Sequence, residues 1–125
     1  MELIETDKAP LPAGHYSQAI VHCGLVYVSG QLPIDPKTGE RRTGSIEKQT
    51  RMVLQNLSAI LEASNSSLNQ VLKVTVFISD ISLWGKVNEV YAEIFGDHRP
   101  ARAIVPTRDL HFGFQIEVDA IAAVI

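Results

Sequence analysis

The sequence is poor in the parts that commonly carry covalent or metal chemistry. It has one cysteine, Cys23, so no disulfide can form within the chain. Cys23 has no obvious base partner and reads as structural. The four histidines, His15, His22, His98 and His111, show no zinc spacing and no cysteine partners, which argues against a metal. No glycine loop of the Walker or dinucleotide type is present. Positive charge is also scarce: net charge is −3 and the pI near 5.7. Arg41-Arg42 is the only adjacent basic pair. Nucleic-acid binders normally carry a basic patch, so nucleic acid is not the expected partner. No stretch approaches the ~20 apolar residues of a spanning helix. The opening MELIETDKAP has charges and no apolar run, unlike a signal peptide. A cytoplasmic protein without a membrane partner is the expectation.

What is present suits a packed globule. Apolar residues are 46% and charged residues 20% of the 125, enough for a core and too apolar for disorder. There is no repeat, low-complexity tract or linker, so residues 1–125 are read as a single domain.

Leu3–Ile4 reads as a short strand, followed by a loop that two prolines and Gly14 keep from being helical. Ser17–Val21 and Leu25–Ser29 read as strands joined at His22-Cys23-Gly24. Val26 and Val28 share one face, and Gly30 is expected to end the second strand. Asp35-Pro36-Lys37-Thr38-Gly39 signals a turn. Ser45 is a candidate N-cap, and Ile46, Thr50, Val53, Leu57, Ile60 and Leu61 recur at helical spacing to about Ala63. VLKVTVFIS, Val71–Ser79, is the clearest strand. Leu72, Val74, Val76 and Ile78 are expected on its apolar face, with Lys73, Thr75 and Phe77 opposite. A second helix spans about Leu83–Phe95 and stops at Gly96. Ala101–Val105 and Gln115–Val124 complete the order β-β-β-α-β-α-β-β. Each helix is then a crossover, and right-handed crossovers place both on one sheet face. Nothing is left to cover the other face, which carries Phe77, so a homo-oligomer stacking these bare faces is expected.

Asp97–Val105, reading DHRPARAIV, holds an arginine in an unusual setting. Pro100 pushes Arg99 toward an extended shape, and Arg102 sits at the mouth of a small apolar strand. A guanidinium partly out of water wants a planar anion. Two readings stand: a salt bridge to a nearby carboxylate, or an anion-binding group. Tyr16, on the proline-bounded loop, either points into a pocket or caps the core edge.

The segments GHYSQAI (14–20), VYVSGQLPIDPKTGE (26–40), QTRMVLQNLSAILEA (49–63), VLKVTVFISD (71–80), VNEVYAEIF (87–95), RPARAIV (99–105) and QIEVDAIA (115–122) occur in order along nearly the whole chain. Together they resemble the RidA family of reactive intermediate deaminases, also called YjgF or L-PSP. The resemblance implies an α+β, chorismate-mutase-like fold, and a homotrimeric barrel with clefts between subunits. It implies hydrolytic deamination of enamines and imines such as 2-aminoacrylate and 2-aminocrotonate, to 2-keto acids and ammonia, without cofactor or metal. The partner is then a small 2-imino or 2-keto acid.

By the same resemblance Arg102 clamps the substrate carboxylate, Glu117 positions water and Tyr16 is the pocket tyrosine. Gly30 and Ser29 line the cleft, and Asn88 is a recurrent, structural residue. His15 stands where many members have proline, and Ile104 where several active members carry a cysteine near the substrate. Glu117 could instead pair with Arg102 as a structural bridge. Two other activities stay open: a carboxylate-binding regulatory module without catalysis, and an endoribonuclease or translation inhibitor of the L-PSP type.

Overall fold

The computed structural model describes all 125 residues. Six strands form one sheet: β1 (Glu2–Ile4), β2 (Ala19–His22), β3 (Leu25–Gln31), β4 (Val71–Ile78), β5 (Ala101–Pro106) and β6 (Ile116–Ala123). Helix α1 (Ile46–Ala63) follows β3, and α2 (Trp84–Phe95) joins β4 to β5. The spatial order is β1-β2-β3-β6-β4-β5, and β4–β5 is the parallel pair. The last strand thus inserts antiparallel between β3 and β4. The element order matches the one read from the sequence.

Local chemistry explains the elements. The hydroxyl oxygen of Ser45 accepts a hydrogen bond from the backbone N–H of Lys48 and caps α1. Val53, Leu54, Leu57, Ile60 and Leu61 line the inner side of α1 and are fully buried. β2 and β3 meet in a two-residue turn, Cys23-Gly24, with both φ angles positive, the turn whose twist suits a hairpin. Two buried amides on α1 fix the loops that lead to the site. The side-chain N–H groups of Asn56 donate to Leu32 O and Ile34 O, at 3.0 and 2.9 Å. The amide oxygen of Gln49 accepts from Gln115 N at 2.9 Å, just before β6.

The core lies between the helices and one sheet face, where Val26, Val28, Val74, Val76, Ile78, Ile116, Val118 and Ala120 are buried. On the other face the register lines up Tyr27 with Ile121, Thr75 with Asp119, and Phe77 with Glu117. No element of the chain covers this face, as expected, and Tyr27 is 44% exposed on it.

Two strand details differ from the sequence reading. Leu72 is not on the apolar face of β4; it is 49% exposed. The ladder with β6 slips between Val71 and Lys73, so Val71 is buried in its place and Leu72 is the unpaired residue of a bulge. Gly30 does not end β3 either. The strand runs on to Gln31, through a second register shift between Val28 and Gln31.

Candidate functional site

Tyr16, Ser29, Gly30 and Glu117 line one hollow on the helix-free side, together with Gly14, His111 and Phe112. The loop bearing Tyr16 is tied down by Gln18, whose side chain is almost wholly buried. Its amide group donates to Thr6 O, Ala9 O and Pro10 O, while its oxygen accepts from Thr6 N at 2.7 Å. Buried polar groups need such partners, and here four bonds set the path of the proline-bounded loop. Ser29 continues the job: its hydroxyl donates to Ser17 O at 2.6 Å, and its N–H donates to Gln18 O. The Ser29 proton is therefore spent on the scaffold, and only oxygen lone pairs remain for the hollow. Tyr16 projects from this loop and is 51% exposed.

Glu117 reaches the hollow from β6. Its carboxylate lies against the α-carbon of Gly30: a Cβ there would fall 2.1 Å from Oε2 and 3.0 Å from Cδ. No other residue fits at position 30 with the carboxylate in place. Burial raises the Glu117 pKa above the ordinary carboxylate value. The nearby His111 charge opposes that rise and Asp119 adds to it.

Arg102 and Ile104 lie elsewhere. They pair with Val74 and Val76, so their side chains are on the helix side of the sheet, on the outermost strand. Glu117 pairs with Phe77, on the opposite face and two strands away. Ile104 packs against the core. Arg102 is half-buried in a second hollow with Asn88, Tyr91, Phe95, His98 and Arg99. Its Nη1 donates to Asn88 Oδ1 at 2.9 Å, and the guanidinium carbon stands 4.7 Å from the Tyr91 ring centroid and 5.8 Å from that of Trp84. The ion pairs of the chain are Arg42 with Asp35 and Glu40, and Arg51 with Glu93; Arg102 takes part in none. Within one chain Arg102 therefore forms no salt bridge, with Glu117 or with any other carboxylate. Tyr91, behind the guanidinium, has a buried hydroxyl with no partner. Burial pushes its pKa up to about 12, against the lowering effect of Arg102.

One chain therefore carries two separate hollows. Gln18, His111 and Phe112 escaped the sequence reading. Gln18 stands inside the YSQA motif, and its polarity within the run Ser17–Val21 read as a strand was the available signal. His111 and Phe112 lie in a helical turn, His111–Gly113, that carries no periodic signature. No three His, Cys, Asp or Glu side chains converge where they could hold a metal ion. No helix is long and apolar enough to cross a membrane.

Fold and hollows define a small α+β protein with a sheet covered on one side and polar groups gathered at loops and a strand edge. A family model described as Endoribonuclease L-PSP matches residues 6–124. A RutC family protein of Pyrococcus horikoshii is 52% identical over 121 residues, 97% of this chain and 96% of that one. A Rattus norvegicus protein named 2-iminobutanoate/2-iminopropanoate deaminase is 40% identical, covering 97% and 88%. Among solved structures, E. coli TdcF with bound serine superposes with a TM-score of 0.95 at 35% identity, covering 100% of both chains. The chain belongs to the L-PSP family, which is also the RidA and YjgF family.

Proposed function

We propose that this chain hydrolyses small 2-imino acids and their enamine forms, such as 2-aminoacrylate and 2-aminocrotonate, to 2-keto acids and ammonia. The observation that carries the reading is Arg102: a half-buried guanidinium, held by Asn88, with no carboxylate in its own chain. Such a fork grips a substrate carboxylate through two parallel hydrogen bonds and fixes where the adjacent imine carbon sits. A protonated imine is already electrophilic, so the remaining task is to place water and move protons. Glu117, a part-buried carboxyl whose pKa burial raises, suits that task. Tyr16 donates a hydrogen bond to the substrate from the rim. No cofactor enters this scheme. The name of the rat relative supports the same chemistry.

The carboxylate and imine carbon of such a substrate are bonded neighbours, so Arg102 and Glu117 must reach one small molecule. Within one chain they lie on opposite faces, two strands apart, at roughly 4.8 Å per strand. The reading therefore places the reaction in a cleft between copies, Arg102 from one and Glu117, Tyr16, Ser29 and Gly30 from its neighbour. The uncovered sheet face is where copies would meet, three of them closing a barrel as the family resemblance implies. Sedimentation of the pure protein tests the trimer.

The assay is keto-acid release from a threonine or serine dehydratase reaction. Wild type is expected to speed it, and Arg102→Ala to abolish the acceleration while leaving the fold intact. Full activity in that variant sinks the clamp. The serine bound in TdcF favours one other reading, a site that holds small amino or keto acids without turnover. Binding of 2-ketobutyrate with no turnover of 2-iminobutyrate would decide for it.

A further inference from the structure

We propose that His111 is a second proton-transfer group of the Glu117 hollow: its imidazolium protonates the departing nitrogen while Glu117 accepts a proton from the attacking water. The inference rests on the deaminase reading and deepens it. His111 and Glu117 line the same hollow, with Tyr16 on its rim. The His111 ring nitrogens make no hydrogen bond within the chain, and no salt bridge takes them up. The turn that carries His111 is pinned from behind. Phe112 holds a left-handed φ of 58°, uncommon for a bulky residue, and such strain persists only where the surroundings fix it. The surroundings are visible. Arg41 stacks its guanidinium 3.6 Å from the Phe112 ring centroid, and Phe112 meets the buried Phe114 edge-on at 5.9 Å. The His111 ring rests against Phe112, centroids 5.7 Å apart. A fixed turn thus presents an exposed, unpartnered imidazole to the hollow that holds the carboxylate.

The titratable groups that share the hollow with His111 are Glu117 from β6 and Tyr16 from the N-terminal loop, and Arg41, from the loop before α1, lies on the neighbouring Phe112 ring. The influence of the His111 charge on Glu117 agrees with that proximity.

The protons balance. Water adds its oxygen to the protonated imine carbon, the C=N pair moves to nitrogen, and the water proton goes to the Glu117 carboxylate. The imidazolium of His111 then protonates the amine nitrogen of the carbinolamine. The C–N bond breaks with its electron pair on ammonia, the O–H pair forms C=O, and that proton returns to the imidazole. Ammonia takes the proton from Glu117 and leaves as ammonium. The sum is imine cation plus water giving keto acid plus ammonium, with both side chains restored.

The test is kcat and KM against pH for wild type, His111→Gln and His111→Ala, on 2-iminobutyrate released by a dehydratase. General acid–base groups contribute about a hundredfold or more, so His111→Gln is expected to lose that much kcat with KM unmoved and to lose the alkaline limb of the wild-type profile. Added imidazole is expected to restore rate to His111→Ala and to leave wild type unchanged. Wild-type kcat and an unmoved alkaline limb in His111→Gln would overturn the relay while the deaminase reading stood. A wild-type protein inert toward the imine would overturn both.

Discussion

The two hollows are built from different materials. The corner around Arg102 is made of regular structure: an edge strand, one face of α2, and aromatic rings behind the Arg102 guanidinium. The hollow around Glu117 is made of turns and a slipped strand, with its loop held by one buried glutamine and its floor by a glycine. On the proposed reading, the Arg102 fork holds only a carboxylate, which needs rigidity and little else. On the same reading the Glu117 hollow places water and moves protons, which needs several groups from separate segments, and loops supply them.

The sharpest way to break this contrast is to put the two halves in different chains. Arg102→Ala and Glu117→Gln are each expected to be inactive alone. Unfolded, mixed in equal amounts and refolded together, they should regain activity in about a quarter of the clefts if the site spans neighbouring copies. No recovery would mean that both residues act from one chain. Next in size is Gly30→Ala. The added methyl collides with the Glu117 carboxylate, and a shift of about 1 Å at a reacting group costs about a hundredfold in kcat. Binding of 2-ketobutyrate should persist, because the fork is untouched; loss of binding would show that the halves are not separable. Asn88→Ala works on the fork alone. Losing one hydrogen bond to a charged group, about 1.5 kcal/mol, should raise KM about tenfold with kcat little changed.

The smallest effect is on stability. The folded pKa of Glu117 is raised, so between its unfolded and folded values the native chain binds more protons, and stability falls as pH rises through that window. Glu117→Gln should therefore raise Tm by a few degrees at most at neutral pH, with the gain vanishing below the ordinary carboxylate range. Thermal melts of both proteins at the two pH values check it.

Much of the fold was legible because periodicity reports it directly. Ser45 and the apolar positions of α1 fixed that helix, and Val74, Val76 and Ile78 fixed the inner face of β4. Leu72 was not legible: alternation counts residues, and a bulge inserts one without changing composition. Motifs single out Tyr16, Gly30, Arg102 and Glu117 as candidates, but they do not give the arrangement of these residues. That Arg102 and Glu117 face opposite ways depends on the register of β5 and β6 on β4, which no local pattern encodes. The nearness of His111 to Glu117 depends on a left-handed Phe112, which the sequence does not announce.

The sheet's borders have a consequence of their own. One border, β1, is three residues long; the other, β5, follows Pro100 and finishes on Pro106. Proline lacks an N–H, so neither margin offers a long ladder for a foreign strand. Growth into fibrils by lateral recruitment is thereby discouraged, and any contact between copies is left to the broad face of the sheet instead of its margins.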